Sequence, residues 1–287
     1  MNWIPSTVTT ASATAGELTF QMWHNGVVDT APTVVALHGF PQSARSYRQV
    51  AAELATDGIR LIAYDQRGYS PGARPIGVDH YDDATLMHDV IDVLDALHLS
   101  QVHLVGHDWG SQIAWLTAEA FPERLTSLTA VSVPHPAAFG EAYRIDADQR
   151  SRSSYFALFR QEGTAETQLL ANDAAKFREI LDDLPAEQVD FYTDRMQQPG
   201  ALTAALNWYR AMGSRSASLP SVTVPTTYVW SDHDRALGRT GAELCQKYVD
   251  ADYQFITLPG ITHWIPELAA GPLARAISDR VRSTESH

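Results

Sequence analysis

Residues 104–111, LVGHDWGS, place an acidic side chain at the centre of a sharp turn between an apolar strand and an amphipathic helix. Glycines on both sides, Gly106 and Gly110, let strand and helix pass closely and let the central residue adopt a strained conformation. Such a turn exposes its central side chain above the sheet, at the N-terminus of the helix. The usual central residue is Ser, but this chain has Asp108. The turn therefore offers a carboxylate rather than a hydroxyl group as nucleophile.

A carboxylate at this position favours substitution chemistry at saturated carbon. Asp108 is ionised at neutral pH and needs no general base before it attacks. It would displace a leaving group by alkylation and form a covalent ester of its own carboxyl group. That ester must then be hydrolysed by an activated water molecule. The alternative interpretation is structural, because Asp is also a common cap at the start of a helix.

The second candidate motif is HGFP, His38 to Pro41, which ends an apolar strand. In a fold with a nucleophile turn of this kind, the loop after that strand supplies one backbone N–H of an oxyanion hole, here that of Phe40. The residue after the nucleophile, Trp109, supplies the second N–H. A plain turn is the alternative, because Gly-x-Pro ends a strand in any protein.

Hydrolysis of an ester needs a His that deprotonates water and a carboxylate that orients this His. The chain order expected with such a turn is nucleophile, acid, His. Asp234 follows an apolar strand and takes the acid position, with Asp232 as the alternative. His263 lies in the loop after the last predicted strand. His107 and His233 are interpreted as supporting rather than catalytic residues.

The spacing of apolar residues predicts the elements that must position these groups. Short apolar runs rich in β-branched residues alternate with helical patterns through the first half of the chain. The predicted strands are 18–23, 33–37, 59–64, 102–105, 128–133, 226–230 and 253–258. The predicted helices are 43–56, 84–97, 152–161, 164–170, 173–184, 186–197, 202–212 and 268–282. This alternation predicts an α/β fold, with a mostly parallel sheet flanked by helices.

The alternation stops near residue 134 and resumes near residue 220, and the stretch between them contains helical patterns only. We therefore predict an α/β core formed by residues 1–134 and 220–287, with a helical cap insertion at residues 135–219. The length of 287 residues fits one large domain with an insertion. The cap would lie in the chain between the nucleophile and the acid.

The composition excludes several classes of partner. Lys and Arg number 21 against 34 Asp and Glu, so the formal net charge is −13, and no basic run is present. This argues against nucleic acid and anionic membranes as partners. No apolar run approaches the roughly 18 residues of a membrane span. The first twenty residues contain no Lys or Arg, so we expect no secretory signal and a cytoplasmic location.

Neither a metal nor an organic cofactor is expected. The single cysteine, Cys245, excludes a multi-thiolate metal site. His103 and His107 are four residues apart, but they lie in a strand pattern, where side chains at this spacing do not meet as they do on a helix. No Gly-x-Gly-x-x-Gly or phosphate loop occurs, so no nucleotide cofactor is implied.

Four motifs along the chain together resemble one known family. They are HGFP at 38–41, DQRGYS at 65–70, GHDWG at 106–110 and the Gly-x-x-His that ends at 263. From about residue 18 to residue 281 the chain resembles the α/β-hydrolase superfamily, and within it most closely the epoxide hydrolases. The resemblance implies an α/β-hydrolase fold with a helical cap, and an enzyme without a cofactor.

Epoxide hydrolases also carry two cap tyrosines, whose hydroxyl groups stabilise the epoxide oxygen as its C–O bond breaks. SYFALFRQEG resembles the first tyrosine segment and assigns Tyr155, and LNWYR resembles the second and assigns Tyr209. Ordinary packing is the alternative for either tyrosine. The predicted substrate pocket is apolar and tolerant of aromatic groups. Its lining is assigned to His38, Pro41, Phe156, Phe159, Trp208 and Trp264, with Phe139 and Tyr143 as further aromatic candidates.

The resemblance predicts an enzyme that converts a small-molecule epoxide and water into a vicinal diol through the ester of Asp108. A haloalkane dehalogenase is the first alternative because Trp109 is shared with that family, but Phe40 stands where those enzymes often have Asn. Fluoroacetate dehalogenases share HGFP, yet they carry Arg residues after the nucleophile and this chain does not. The second alternative is a hydrolase-like ligand receptor with little turnover. The oligomeric state stays open, a homodimer included.

Overall fold

The computed structural model describes residues 3–12, 15–213 and 221–285, and an eight-stranded sheet forms its centre. The strands are β1 Ile4–Ser12, β2 Gly16–His24, β3 Thr33–Leu37, β4 Arg60–Tyr64, β5 Val102–His107, β6 Leu125–Val131, β7 Thr226–Ser231 and β8 Tyr253–Leu258. Their order across the sheet is β1-β2-β4-β3-β5-β6-β7-β8. β1 and β2 pair antiparallel with their neighbours, whereas β3 to β8 pair in parallel. The predicted α/β fold with a mostly parallel sheet is confirmed.

Helices cover both faces of this sheet. The helices of the described chain are α1 Arg48–Thr56, α2 Asp83–Ala96, α3 Trp109–Ala120, α4 Pro136–Ile145, α5 Ala147–Arg152, α6 Phe156–Phe159, α7 Thr164–Ile180, α8 Ala186–Met196, α9 Ala201–Ala211, α10 Arg239–Leu244, α11 Ile265–Leu268 and α12 Ala270–Glu285. Because both faces are covered, side chains on both sides of a central strand are apolar. In β3, Val34 and Ala36 join the core beneath α1 and α12, and Val35 and Leu37 join the core beneath α2 and α3. Within the described ranges, no helix has the length and apolar character that crossing a bilayer requires.

Between β6 and β7, the described chain runs through helices α4 to α9. The helix predicted at 152–161 is interrupted, because a turn that begins at Ser153 separates α5 from the four residues of α6. The break predicted between 170 and 173 is present as a kink in α7, where Ala171 to Ala174 leave the helical conformation. We propose that α4 to α9 form the cap. The predicted cap boundary at residues 219 and 220 lies outside the described residues.

Four further elements differ from the prediction. β1 was not predicted, because IPSTVTTAS is mostly polar and buries only Val8 and Thr10. β6 ends at Val131 rather than 133, because Ser132 has φ 66° and leaves the extended region. α4 and α10 were also not predicted, and α4 begins at Pro136, a common first residue of a helix.

The carboxyl ends of the parallel strands bring the candidate residues to one edge of the sheet. β3 leads into the loop of Phe40, β5 into Asp108, β7 into Asp234, and β8 into the loop of His263. In open α/β sheets, ligands bind at this edge. α4, the first helix of the insertion, follows β6 at the same edge.

Candidate active site

The turn between β5 and α3 holds Asp108 in a strained backbone conformation, with φ 53° and ψ −121°. Such a conformation costs a residue other than Gly on the order of 1–3 kcal/mol. The close approach around the turn requires glycine. A Cβ on Gly106 would lie 2.2 Å from the carbonyl oxygen of Gly110, and a Cβ on Gly110 would lie 2.1 Å from that of Leu37. The side chain of Asp108 makes no capping hydrogen bond to α3, so its carboxylate is available above the sheet.

Two backbone N–H groups point at the carboxylate of Asp108. The N–H of Phe40 donates to Oδ1 over 2.8 Å, and the neighbouring N–H of Trp109 helps to lower the pKa of the carboxyl group. Gly39 permits this approach, because a Cβ there would lie 2.3 Å from Oδ1 of Asp108. Burial opposes ionisation of Asp108, but the hydrogen bond and charge of His263 hold its pKa below the usual value. The carboxylate is therefore ionised, and its oxygens already contact the donors predicted for an oxyanion hole.

His263 lies between the two carboxylates. Its Nδ1 donates to Oδ2 of Asp234 over 2.8 Å, and its Nε2 lies 3.5 Å from Oδ2 of Asp108. The other oxygen of Asp234 accepts hydrogen bonds from the N–H groups of Ala236 and Leu237, over 2.8 and 3.0 Å. Burial alone would lower the pKa of His263, but Asp234 and Asp108 raise it to about 10. The resting site therefore holds an imidazolium between two carboxylates.

The other candidate acid and the other candidate histidines do not take part in the side-chain contacts between Asp108, His263 and Asp234. Oδ1 of Asp232 accepts the N–H of Gly260 over 2.7 Å, and Asp232 is exposed. His233 is also exposed. His107 packs against the ring of His263, and its Nε2 lies 2.9 Å from the backbone oxygen of His263. Burial lowers the pKa of His107 to about 3, so its ring is neutral.

The two candidate tyrosines lie side by side across from Asp108. Tyr155 immediately precedes α6, Tyr209 belongs to α9, and their ring centroids are 6.1 Å apart. Burial raises the pKa of both tyrosines well above the usual value, and the charge of Asp108 raises it further. Both hydroxyl groups are therefore protonated donors at neutral pH. Phe159 packs against both rings, at centroid distances of 5.1 and 5.0 Å.

A cavity of about 480 Å³ lies next to these groups. This volume is in the range of sites for small molecules, roughly 300–1,000 Å³. Asp108, Tyr155 and Tyr209 line the cavity together. Its aromatic wall includes Phe156, as predicted for the pocket, and also Phe139 and Tyr143.

The other five residues predicted for the pocket lie behind its lining. Trp208 is fully buried and its indole N–H donates to the carbonyl of Arg67, so it packs behind Trp109. Phe159 supports the two tyrosines from within the insertion. The remaining three belong to the core. The ring of His38 is fully buried and forms hydrogen bonds with the backbone of Gly39 and Gln66. Pro41 follows a cis peptide bond, and Trp264 packs on the ring of His263.

Several residues near the site belong to none of the predicted catalytic motifs. Gln112 lines the cavity one helical turn after the nucleophile, a spacing that could have identified it. Gln42, directly after HGFP, donates to both carboxylate oxygens of Glu267, and its Oε1 lies 2.8 Å from Nδ1 of His107. Glu267 also accepts the hydroxyl of Tyr192, which belongs to α8. These contacts link the loop of His263 to the oxyanion loop and to the insertion.

Comparison with known proteins identifies the family of this chain. Residues 32–270 match the family model of the alpha/beta hydrolase fold. The chain is 36% identical to the AB hydrolase superfamily protein YfhM of Bacillus subtilis, with 83% of this chain and 85% of that protein covered. It is 30% identical to Epoxide hydrolase 4 of Mus musculus, with 88% and 74% covered. The chain belongs to the epoxide hydrolase family of the α/β-hydrolase superfamily.

A solved structure extends this comparison of the epoxide hydrolase family to three dimensions. It is described among novel epoxide hydrolases of the α/β-hydrolase superfamily in metagenomes from hot environments, and it superimposes with a TM-score of 0.85 at 27% identity. The superposition covers 98% of this chain and 99% of the other. Because the coverage is nearly complete, it includes the helices between β6 and β7 as well as the sheet. The resemblance drawn from four short motifs is thus confirmed at the level of the family.

Proposed function

We propose that this protein hydrolyses an epoxide to a vicinal diol, through a covalent ester on Asp108. One observation carries the proposal: an ionised carboxylate and two protonated tyrosine hydroxyls line the same cavity. An epoxide needs both, because its carbon must be attacked while its oxygen, a poor leaving group, receives a proton. Family membership supports the same reaction, since the relatives named above include epoxide hydrolases.

In the first step, a carboxylate oxygen of Asp108 bonds to an epoxide carbon and the ring C–O bond breaks. The electron pair of that bond goes to the ring oxygen, which takes a proton from the hydroxyl of Tyr155 or Tyr209. Asp108 thereby loses its negative charge. Because that charge helps to keep His263 protonated, His263 then releases its proton, which restores the tyrosine hydroxyl.

In the second step, neutral His263 accepts a proton from water, and the water oxygen adds to the ester carbonyl carbon of Asp108. The N–H groups of Phe40 and Trp109 stabilise the oxyanion of the tetrahedral intermediate. The intermediate collapses with cleavage of the ester C–O bond, and the leaving oxygen takes the proton from His263. The products are the diol and Asp108, whose acid proton returns to His263. Asp234 holds the imidazole ring in place throughout.

The alternative of halide release has less support from this geometry. The ring of Trp109, whose indole N–H would hold a halide, packs edge-on against the ring of Tyr209 at a centroid distance of 5.1 Å. The side chain of Phe40 has no donor to offer a second contact. Parallel assays of halide release from haloalkanes and diol formation from styrene-type epoxides separate the two activities.

The test uses His263→Gln, which keeps the nucleophile and the tyrosines but removes the base. We expect this variant to gain the mass of one epoxide molecule, and peptide mapping to place the added mass on Asp108. His233→Gln is the matched control, because His233 is an exposed histidine on the loop of Asp234, and it should turn over without accumulating an adduct. For the unaltered protein, a single turnover in H₂¹⁸O should place the label in Asp108. Label that enters the diol in that first turnover, with Asp108 unlabelled, would exclude the covalent route.

A further inference from the structure

Helix α5 packs on the loop that carries Asp234 through three side chains spaced three residues apart. Asp146, directly before α5, accepts the hydroxyl of Thr240 over 2.6 Å. Gln149 donates a hydrogen bond to the carbonyl of Ala236 in the middle of this loop, and Arg152 donates to the backbone oxygen of Asp234. Residues at this spacing share one face of a helix. One face of α5 is therefore bound to residues 234–240, which we call the acid loop.

Gln149 makes the central contacts of this face. Its amide nitrogen donates to the carbonyl of Ala236 over 2.9 Å and to the hydroxyl of Ser153 over 3.0 Å. Its amide oxygen accepts the N–H of Gly238 over 2.8 Å. The side chain is only 1% exposed, so water does not replace these partners. A neutral amide that donates and accepts at once matches a loop that presents both a carbonyl and an N–H.

One of the residues that Gln149 binds, Ala236, also orients the acid. The N–H of Ala236 donates to Oδ1 of Asp234, while the carbonyl of Ala236 accepts from Gln149. Ala236 therefore connects Asp234, which accepts its N–H, to Gln149 of the insertion, which donates to its carbonyl. Oδ2 of Asp234 then holds Nδ1 of His263. A continuous series of hydrogen bonds runs from a helix of the insertion to the imidazole ring.

We propose that Gln149 is a positioning residue for hydrolysis of the ester, acting through the acid loop on Asp234 and His263. This inference rests on the proposed function. It means that the insertion serves both half-reactions: Tyr155 acts in ring opening, and Gln149 supports the base of the second step. Ring opening itself requires Asp108 and the tyrosines but not Asp234, so the two steps should respond differently to loss of the Gln149 amide.

The test is Gln149→Met, which keeps the length of the side chain and removes both hydrogen-bonding functions. In quenched single turnovers followed by intact mass, ester formation should stay within about twofold of the unaltered protein, while ester hydrolysis should slow by about 10- to 100-fold. The ester should accumulate at steady state. Gln161→Met is the matched control, because Gln161 is an exposed glutamine of the insertion that bonds only its own helical segment, and both rates should be unchanged.

A pH profile distinguishes positioning from a loss of structure. In the ester, Asp108 is uncharged, so Asp234 is the carboxylate that raises the pKa of His263. A displaced Asp234 lowers that pKa, and the acid limb of ester hydrolysis should move to lower pH in Gln149→Met. A displaced insertion would also move Tyr155 and would slow ester formation and hydrolysis alike. Equal slowing of both steps, or hydrolysis at the unaltered rate, would overturn the inference.

A second variant keeps the inference testable if Gln149→Met does not fold. Thr240→Val removes the outer contact of the same helix face, and it should slow hydrolysis alone by about threefold. Unchanged hydrolysis in this variant would count against the role of the acid loop. Failure of the proposed function gives a separate result, because the unaltered protein would then form no ester on Asp108, whether or not diol appears.

Discussion

The two sides of the cavity are built by different forces. The floor, formed by Asp108 and Trp109 with the loop 38–41 behind them, is held by backbone hydrogen bonds and by glycines that leave no room for a Cβ. The roof, formed by Tyr155, Phe156 and Tyr209 with Phe159 behind them, is held by rings that pack at centroid distances of 4.8 to 6.1 Å. Changes in the floor should therefore act in an all-or-none way, whereas changes in the roof should have graded effects.

The largest effect is expected at the centre of the floor. Asp108→Ala removes the nucleophile, and we expect epoxide hydrolysis to fall by a factor on the order of 10⁵ or more, with no ester detectable by mass. Diol formation and intact mass measure this outcome. Substantial turnover without Asp108 would show that water attacks the epoxide directly.

Asp108→Gly tests the backbone strain at position 108 separately from the chemistry of the carboxylate. Both variants lack the carboxylate, but only Gly adopts φ 53° without strain. Asp108→Gly should therefore be inactive yet more stable than Asp108→Ala by about 1–2 kcal/mol. Chemical denaturation of the two variants measures the difference. Equal stability would mean that the turn relaxes once the carboxylate is absent.

The rate of ester formation should fall in steps as the tyrosine hydroxyl groups of the roof are removed. Tyr155→Phe and Tyr209→Phe each remove one donor to the epoxide oxygen, and each should slow ester formation by a factor on the order of 10². The double variant should lose more than the product of the two single losses, because each single variant keeps one donor. Rapid-quench measurement of ester formation tests this, with Tyr248→Phe outside the cavity as control. A loss confined to ester hydrolysis would contradict the assignment of the tyrosines.

The same contrast explains what the sequence could predict. The floor is encoded locally, because HGFP and GHDWG each specify a strand end, a turn and a donor within a few residues. The roof depends on how separate helices pack, so Tyr155 and Tyr209 were assigned from family resemblance alone. Local sequence did not reveal that Trp208, next to Tyr209, faces the core. On a helix, neighbouring residues point in directions about 100° apart, and only packing decides which one faces the cavity.

The strands of the sheet show a related limit on what can be predicted from sequence. Strands buried on both faces, such as β3, were predicted at their observed bounds, because a continuous apolar run is itself the signal. β1 lies at the edge of the sheet and is mostly polar, so its pairing with β2 left no apolar pattern to find. Gln149 was missed for a similar reason. Its partners lie 87 and 89 residues away in the chain, and a buried amide has no sequence signature.

A fourth prediction concerns the boundary between floor and roof, where Glu267 accepts hydrogen bonds from Gln42 of the core and Tyr192 of the insertion. Burial raises the pKa of Glu267 to about 7, although those hydrogen bonds and the charge of His263 act in the opposite direction. The folded state therefore binds a proton between about pH 4.5 and 7 that the unfolded chain has lost. This contribution to stability is present at low pH and decreases as the pH rises through that window.

Glu267→Gln removes the titration and keeps an acceptor for both partners. Compared with the variant, the unaltered protein should lose about 2 kcal/mol of stability between pH 5 and pH 8, since partial exposure of Glu267 screens the full effect. Urea denaturation of both proteins at the two pH values measures the change in stability of each. The contributions of other titrating groups cancel when the two changes are subtracted. Parallel pH dependences would show that Glu267 stays ionised across this range.

The smallest effect is expected from a roof residue that supports the tyrosines without touching the cavity. Phe159 contacts both tyrosine rings and also Phe40. Phe159→Leu should cost about 1–2 kcal/mol of stability, through lost ring contacts and a small void. If packing positions the tyrosines, ester formation should also slow by about 3- to 10-fold. Phe255→Leu, on the edge strand β8, should leave ester formation unchanged. A stability loss in Phe159→Leu with unchanged ester formation would mean that the tyrosines hold their positions without this ring, and that the roof is more rigid than its contacts suggest.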